Sequence, residues 1–221
     1  VLEDLKFSKE EPMDTITVSA ANVVDGTYTG PDVSAFAGHL EIAPYIGIVR
    51  FHSALKVSGS IIAGAGSGIK AGWGIEAGWG IEAGLGIEAG LGIEAGLGIK
   101  AGSGIEAGSG IKAGHGIEAG WGIEAGHGIE AGSGIEAGWG IEAGHGIEAG
   151  WGIEAGFSIR SRWISCALRI FAGTVNWRQP TLEETHIYGE IRSGIVAIGM
   201  VIAEATSEPR QGLSDECHGS L

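Results

Sequence analysis

Ile69-Lys70-Ala71-Gly72-Trp73-Gly74 is followed by Ile75-Glu76-Ala77-Gly78-Trp79-Gly80, and the six-residue unit continues unbroken to Ile153-Glu154-Ala155-Gly156-Phe157. Isoleucine falls at every sixth position from 69 to 153, which makes fifteen units. The second position is Glu in twelve units and Lys in three, Lys70, Lys100 and Lys112. Only the fifth position, X, varies freely among Trp, Leu, Ser, His and Phe. An α-helix does not suit this pattern. Two glycines per unit would cost a helix about 2 kcal/mol relative to alanine, and the Ile positions would drift around a 3.6-residue turn. In an extended segment, by contrast, Ile and Ala point one way and the charged residue points the other. The Gly-X-Gly that follows permits a bend, through positive φ or through close backbone approach. Short strands bent at fixed intervals and stacked on their own copies predict an all-β fold, a single-stranded parallel β-solenoid (β-helix) of six-residue units.

The unit resembles the hexapeptide-repeat left-handed β-helices, in which three six-residue faces complete an eighteen-residue triangular coil. Ile followed by Glu matches the commonest pair of that family. The resemblance implies a left-handed triangular coil here, with fifteen units making five coils. Position X departs from it, because that family places small residues there and this chain often places Trp. A flat, two-sided coil of twelve residues with a zipper-like core therefore stays open. Some members of the family are acyltransferases that work through a His between subunits. That part of the resemblance points to His39, His52 or His186, although no nucleophile, base or cofactor constellation surrounds them in the sequence. Other β-helix proteins of this kind polymerise in bacterial cytoskeletons.

Outside the array the same pattern degrades. Residues 1–54 read as an irregular β-rich N-terminal region or cap, 55–158 as the regular solenoid, and 159–221 as degenerate coils, a cap or pairing region with a frayed tail from Ser207. Asn176 to His186, with Pro180 and Glu183-Glu184, reads as an excursion in which Thr181 is a helix N-cap candidate. Solenoid ends need covering, because open end coils present unpaired strand edges.

Charge and composition narrow the role. The 221 residues include 43 glycines, thirty of them in the array, and carry a net charge of −14. Twelve Glu less three Lys at one repeat position account for nine of those charges. Such a chain is not expected to bind nucleic acid directly. It has no eighteen-residue apolar run for a membrane span, and its glycines form no phosphate cradle. Val1 to Glu11 is not a signal peptide. Cytoplasmic residence is the expectation, with secretion or surface display left open because the chain starts without Met. Cys166 and Cys217 make no disulfide framework, and Cys166, in an apolar run, reads as a buried structural thiol.

The candidate surfaces follow from the charged repeat position and from X. Glu76, Glu82, Glu88, Glu94, Glu106, Glu118, Glu124, Glu130, Glu136, Glu142, Glu148 and Glu154 are read as a solvated face or as an acidic interaction face. The apolar X residues, Trp73, Trp79, Trp121, Trp139, Trp151 and Phe157 with three leucines, are expected to pack inside or against a terminal segment; if exposed, they form an interface ladder. His115, His127 and His145 share the X position, and His127 and His145 would stack on adjacent triangular coils. Such a pair is a weak zinc site, and no Asp-rich calcium loop occurs. The repeat also lacks the Thr of an ice-binding face. Neither a cofactor nor a metal is expected. The favoured role is a non-enzymatic structural or protein-binding scaffold that self-associates as a homo-oligomer through its irregular ends. The alternatives are an acidic nucleic-acid-mimicking inhibitor that docks on a basic nucleic-acid-binding or defence protein, and a divergent acyltransferase.

Overall fold

Ile, charged residue and Ala fold into three-residue strands such as Ile123–Ala125, the outer two residues buried and the middle one exposed. The computed structural model describes residues 13–202. Val1–Glu11, Cys217 and the tail from Ser207 lie outside the described residues. Strands of the array pair in parallel with the strand eighteen residues further on: Ile99 with Ile117, Ile117 with Ile135, Ile135 with Ile153. Three strands therefore complete one coil, which excludes the flat twelve-residue alternative. Among the described residues, all 25 strands belong to one sheet, wound into about nine coils.

The coil has three faces. Face I holds the column that starts at Lys70, face II the column from Glu76, and face III the column from Glu82. Inside, the isoleucines from 69 to 153 are no more than 1% exposed, and the alanines that follow them are almost as buried. Each buried Ile contributes about 2–3 kcal/mol of hydrophobic stabilisation. Alanine at the third position keeps the narrow bore filled without crowding it.

The edges between faces continue the hydrogen-bond ladder. Gly102 N–H donates to Ala83 O at 2.9 Å, Ser103 N–H to Leu85 O at 3.2 Å, and Ile105 N–H to Gly122 O at 3.0 Å. Backbone groups at the corners are thus paired coil to coil, as buried backbone requires. The described glycines with positive φ are 26, 47, 66, 173, 189, 194 and 199, all outside the regular array. Of the two reasons for array glycines, close backbone approach is the one realised. The two glycines of a corner differ in kind. A Cβ on Gly120, after Ala, would overlap the Gly102 carbonyl oxygen. One on Gly122, before Ile, would sit 3.3 Å from the Gly140 oxygen, tight but relaxable.

Irregular coils continue the solenoid at both ends. Asp14–Val18 pairs in parallel with Gly38–Ile42, which pairs with Ile61–Ala63. Val23–Val24 and Thr27–Tyr28 form an antiparallel hairpin whose turn residues, Asp25 and Gly26, both have positive φ (50° and 74°), as a type I′ turn demands. At the other end the coil tightens. Ile141 pairs with Ile159, eighteen residues on, but Ile147 pairs with Ile164, seventeen on, and Ile187 with Val201, fourteen on. Two long bent strands, Ile159–Ala172 and His186–Ile198, replace the three-residue strands there. Gly189, Gly194 and Gly199, five residues apart and all with φ above 100°, turn the chain within single residues rather than through Gly-X-Gly. Among the described residues, no helix is long and apolar enough to cross a membrane.

Candidate interaction surface

The X side chains sit on the three edges and point outward. Trp73 is 59% exposed, Trp151 64%, and Trp79, Trp121 and Trp139 about half; Phe157 is half-buried. The expectation that they pack inside is therefore overturned. The bore is already filled by Ile and Ala, and the X residue occupies the apex of a corner whose interior side is backbone. Nor are the exposed tryptophans of the array covered by a terminal segment among the described residues.

Eighteen-residue spacing sorts X into three ladders. The edge between faces I and II carries Trp73, Leu91, Ser109, His127 and His145. The next carries Trp79, Leu97, His115, Ser133 and Trp151. The edge between faces III and I carries Leu85, Ser103, Trp121, Trp139 and Phe157. On this last edge the aromatic rings form a stack. Trp121 and Trp139 lie parallel within 7° with centroids 5.3 Å apart, and Phe157 follows at 6.3 Å. Such aromatic pairs contribute about 0.5–1.5 kcal/mol beyond area burial. His127 and His145 stand on adjacent coils of one edge as expected, their ring centroids 5.2 Å apart and their planes tilted by 56°, while His115 stands on a different edge. No group of three metal-ligating side chains occurs among the described residues.

The twelve glutamates do not share one face. The coil deals successive units to successive faces, so each face receives four Glu and one Lys. The charge is spread around the whole circumference. Within a column, neighbouring carboxylates lie about 4.8 Å apart, a spacing that disfavours like charges. Each array Lys relieves it by bonding the Glu one coil towards the C-terminus. Lys100 reaches Glu118 at 2.9 Å and Lys112 reaches Glu130 at 3.0 Å, while Lys70 pairs with Glu88. Lys56, before the array, does the same to Glu76 at 2.8 Å. The bonds to Glu118 and Glu130, with further carboxylates of the same columns, hold Lys100 and Lys112 above the ordinary lysine pKa. These exposed pairs are worth little individually; their positions show where the column is neutralised and where it is not.

Beyond Gly173 the predicted excursion leaves the solenoid at the edge between faces III and I and lies over the end of the aromatic stack. Trp177 packs edge-on to Phe157 at 6.4 Å. The Arg178 guanidinium sits over both rings, 5.2 Å from Phe157 and 4.8 Å from Trp177. Glu184 holds it bidentately, with Nη1 to Oε2 at 2.7 Å. The N-cap of the short 3-10 helix Glu183–Thr185 is Leu182 rather than the expected Thr181. Thr181, one residue earlier, exchanges bonds with Glu184, whose N–H donates to the Thr181 hydroxyl at 3.4 Å while Thr181 N–H donates to Glu184 Oε2 at 2.7 Å. The bond from Arg178, together with that from Thr181 N–H, lowers the Glu184 pKa from 4.5 to about 2. A carboxylate with a depressed folded pKa stabilises fully above its unfolded value and loses that contribution as pH falls through the folded one. The clasp should thus hold above pH 4.5 and release between pH 4.5 and about 2. Amide hydrogen exchange over residues 176–185, corrected for intrinsic rates, is expected to be faster at pH 3 than at pH 6. Glu184→Gln should be fast at both. Equal protection of the unmodified chain at the two pH values would contradict the assignment.

The three histidines raised by the family resemblance are dispersed. His39, near the N-terminal end, accepts from Ser60 N–H at 3.0 Å and packs edge-on to Trp79. His52 is exposed, immediately after the strand Gly47–Phe51. His186, near the other end, contacts the Tyr188 hydroxyl at 3.0 Å. Cys166 is buried, and burial pushes its thiol pKa up. Three long grooves run along the solenoid, one beside each Glu column, of about 670, 640 and 570 Å³. Each has a Gly and Ile floor and is walled by X residues on one side and charged residues on the other. No protein-family model matches the chain, and neither a curated protein nor a solved structure matches it.

Proposed function

We propose that the chain is a non-enzymatic scaffold: a rigid acidic rod that pairs with a second copy through its C-terminal coil. The observation that supports this most directly is the state of that coil. Ile195 is 68% exposed, and Ile198, Met200 and Val201 nearly half. They lie on the last described strands of the solenoid, His186–Ile198 and Met200–Ile202, the final pair stacked among the described residues. An apolar surface beside a strand edge is a template for another chain. Two copies of one such end make a self-complementary contact that closes as a dimer rather than growing. The kinship with hexapeptide-repeat β-helices belongs to the same proposal, supported by the eighteen-residue coil and its Ile-Glu strands.

Light scattering coupled to size exclusion tests the pairing. The full chain is expected at twice its monomer mass, independent of dilution over a wide range. Ile198→Glu should give a monomer with an unchanged circular dichroism spectrum. A full chain that elutes as a monomer at all concentrations, or grows into long species, would overturn the closed dimer.

A second reading is supported by the Glu columns. Carboxylates repeat at about 4.8 Å along a stiff rod, a negative charge density that could compete for the basic surface of a nucleic-acid-binding protein. Displacement of DNA from such a surface by the purified chain is its test; failure to displace would remove it.

A further inference from the structure

The longest acidic run and the longest aromatic stack meet along one groove. Face I carries Glu88, Glu106, Glu124 and Glu142 without an intervening Lys, whereas Lys112 and Lys100 interrupt the columns of faces II and III. Glu88 is paired with Lys70, but Glu106, Glu124 and Glu142 make no ion pair among the described residues. Arg160 stands next to Glu142 in the column, yet its guanidinium lies 4.6 Å over the Tyr188 ring instead. The groove beside this column is about 640 Å³, and Trp121 forms part of its other wall. Trp121 is the first member of the Trp121–Trp139–Phe157 stack.

The chain's own arginines make the kind of contact that such a surface offers. Arg178 lays its guanidinium over Phe157, at the end of the stack, and completes its charge with a carboxylate. Arg192 over Trp163 and Arg160 over Tyr188 repeat the ring contact at 4.4 and 4.6 Å. Trp121 and Trp139, further along the same edge, are about half exposed beside three carboxylates with no ion pair among the described residues. Trp139 is stacked between Trp121 and Phe157, so Trp121, at the head of the stack, is the ring with a face to offer. A planar guanidinium can stack on the indole face and donate to a carboxylate at once, while a compact ammonium is less suited to doing both.

We propose that this strip, Trp121 and Trp139 with Glu106, Glu124 and Glu142, is a docking site for an arginine-rich segment of a partner protein. It uses the side of the rod and does not depend on pairing at the C-terminal end. Calorimetric titration of the full chain with an octa-arginine and an octa-lysine peptide tests it. Octa-arginine should bind at least ten-fold more tightly. Trp121→Ala with Trp139→Ala should abolish that preference and leave the weaker octa-lysine binding in place. The same double change at Trp79 and Trp151, on another edge, should leave the preference intact. Glu106→Gln, Glu124→Gln and Glu142→Gln together, near-isosteric and solvent-facing, should weaken both peptides ten-fold or more. Equal affinity for the two peptides, or an arginine preference that survives loss of both tryptophans, would reduce the surface to unspecific charge attraction and overturn the proposal. The peptide comparison needs no variant, so the proposal stays open to refutation if a substituted chain fails to fold.

Discussion

Gly120→Ala is expected to melt far below Gly122→Ala, although the two glycines flank the same tryptophan. The methyl group on residue 120 would overlap a backbone oxygen of the preceding coil, Gly102 O. That oxygen is fixed by its place in the wall and cannot rotate away as a side chain could. Moving it means separating two coils whose edge hydrogen bonds lie on both sides. Overpacking of this kind costs about 3 kcal/mol, roughly 6–12 °C in melting temperature for a chain of this size. At position 122 the contact is 3.3 Å, to Gly140 O. A shift of a few tenths of an ångström relieves it, and the smaller unfolded-state entropy of Ala returns about 0.4–1 kcal/mol. The net change there should stay within about 1 kcal/mol. Thermal melts followed by circular dichroism separate the two. Equal shifts would mean that the corner tolerates either methyl group, or neither, and that the assignment of distinct roles is wrong.

Ile123→Ala carries the other large effect. Ile123 is 1% exposed and lies between Ile105 and Ile141 of the adjoining coils. The surrounding wall is a closed hydrogen-bonded coil, which limits collapse into the space left behind. Large-to-small changes in such a setting cost about 3–4 kcal/mol. Glu124→Gln, one residue on and facing solvent, should change stability by less than about 0.5 kcal/mol. Urea denaturation of both variants checks the contrast. A loss below about 1 kcal/mol for Ile123→Ala would show that the bore is loosely packed.

The period and its alternation carried most of the architecture. Ile and Ala inward, Glu outward and strands stacked on their own copies all follow from one six-residue unit, and a coil of three such units gives the observed pairing. The distribution of Glu over three faces was also implicit there, since eighteen divided by six is three. The orientation of X was legible in the variety of residues that it accepts. A position that accepts Trp, Ser and His interchangeably cannot belong to a tightly packed bore, because their volumes and polarities differ too much to share one cavity. The stack on one edge depended on which units fall eighteen residues apart: Trp121 with Trp139, and Trp139 with Phe157. The C-terminal taper left a trace in the spacing of Gly189, Gly194 and Gly199, five rather than six. What pattern alone could not supply is the path of residues 174–185, where Arg178 and Glu184 meet through a turn with no periodicity.

Because each face holds the same number of Glu and Lys, the rod presents nearly the same charge after a third of a turn. Duplicating eighteen residues would lengthen it by about 4.8 Å and leave the C-terminal end with its original bearing. Duplicating six would advance that end by about 1.6 Å and swing it through roughly 120°, taking the Arg178 clasp off the edge that carries Trp121 and Trp139. The array is thus a screw thread, in which length and angular bearing are set together by the number of units. Changes in length that preserve the relation between the two ends come in steps of three units.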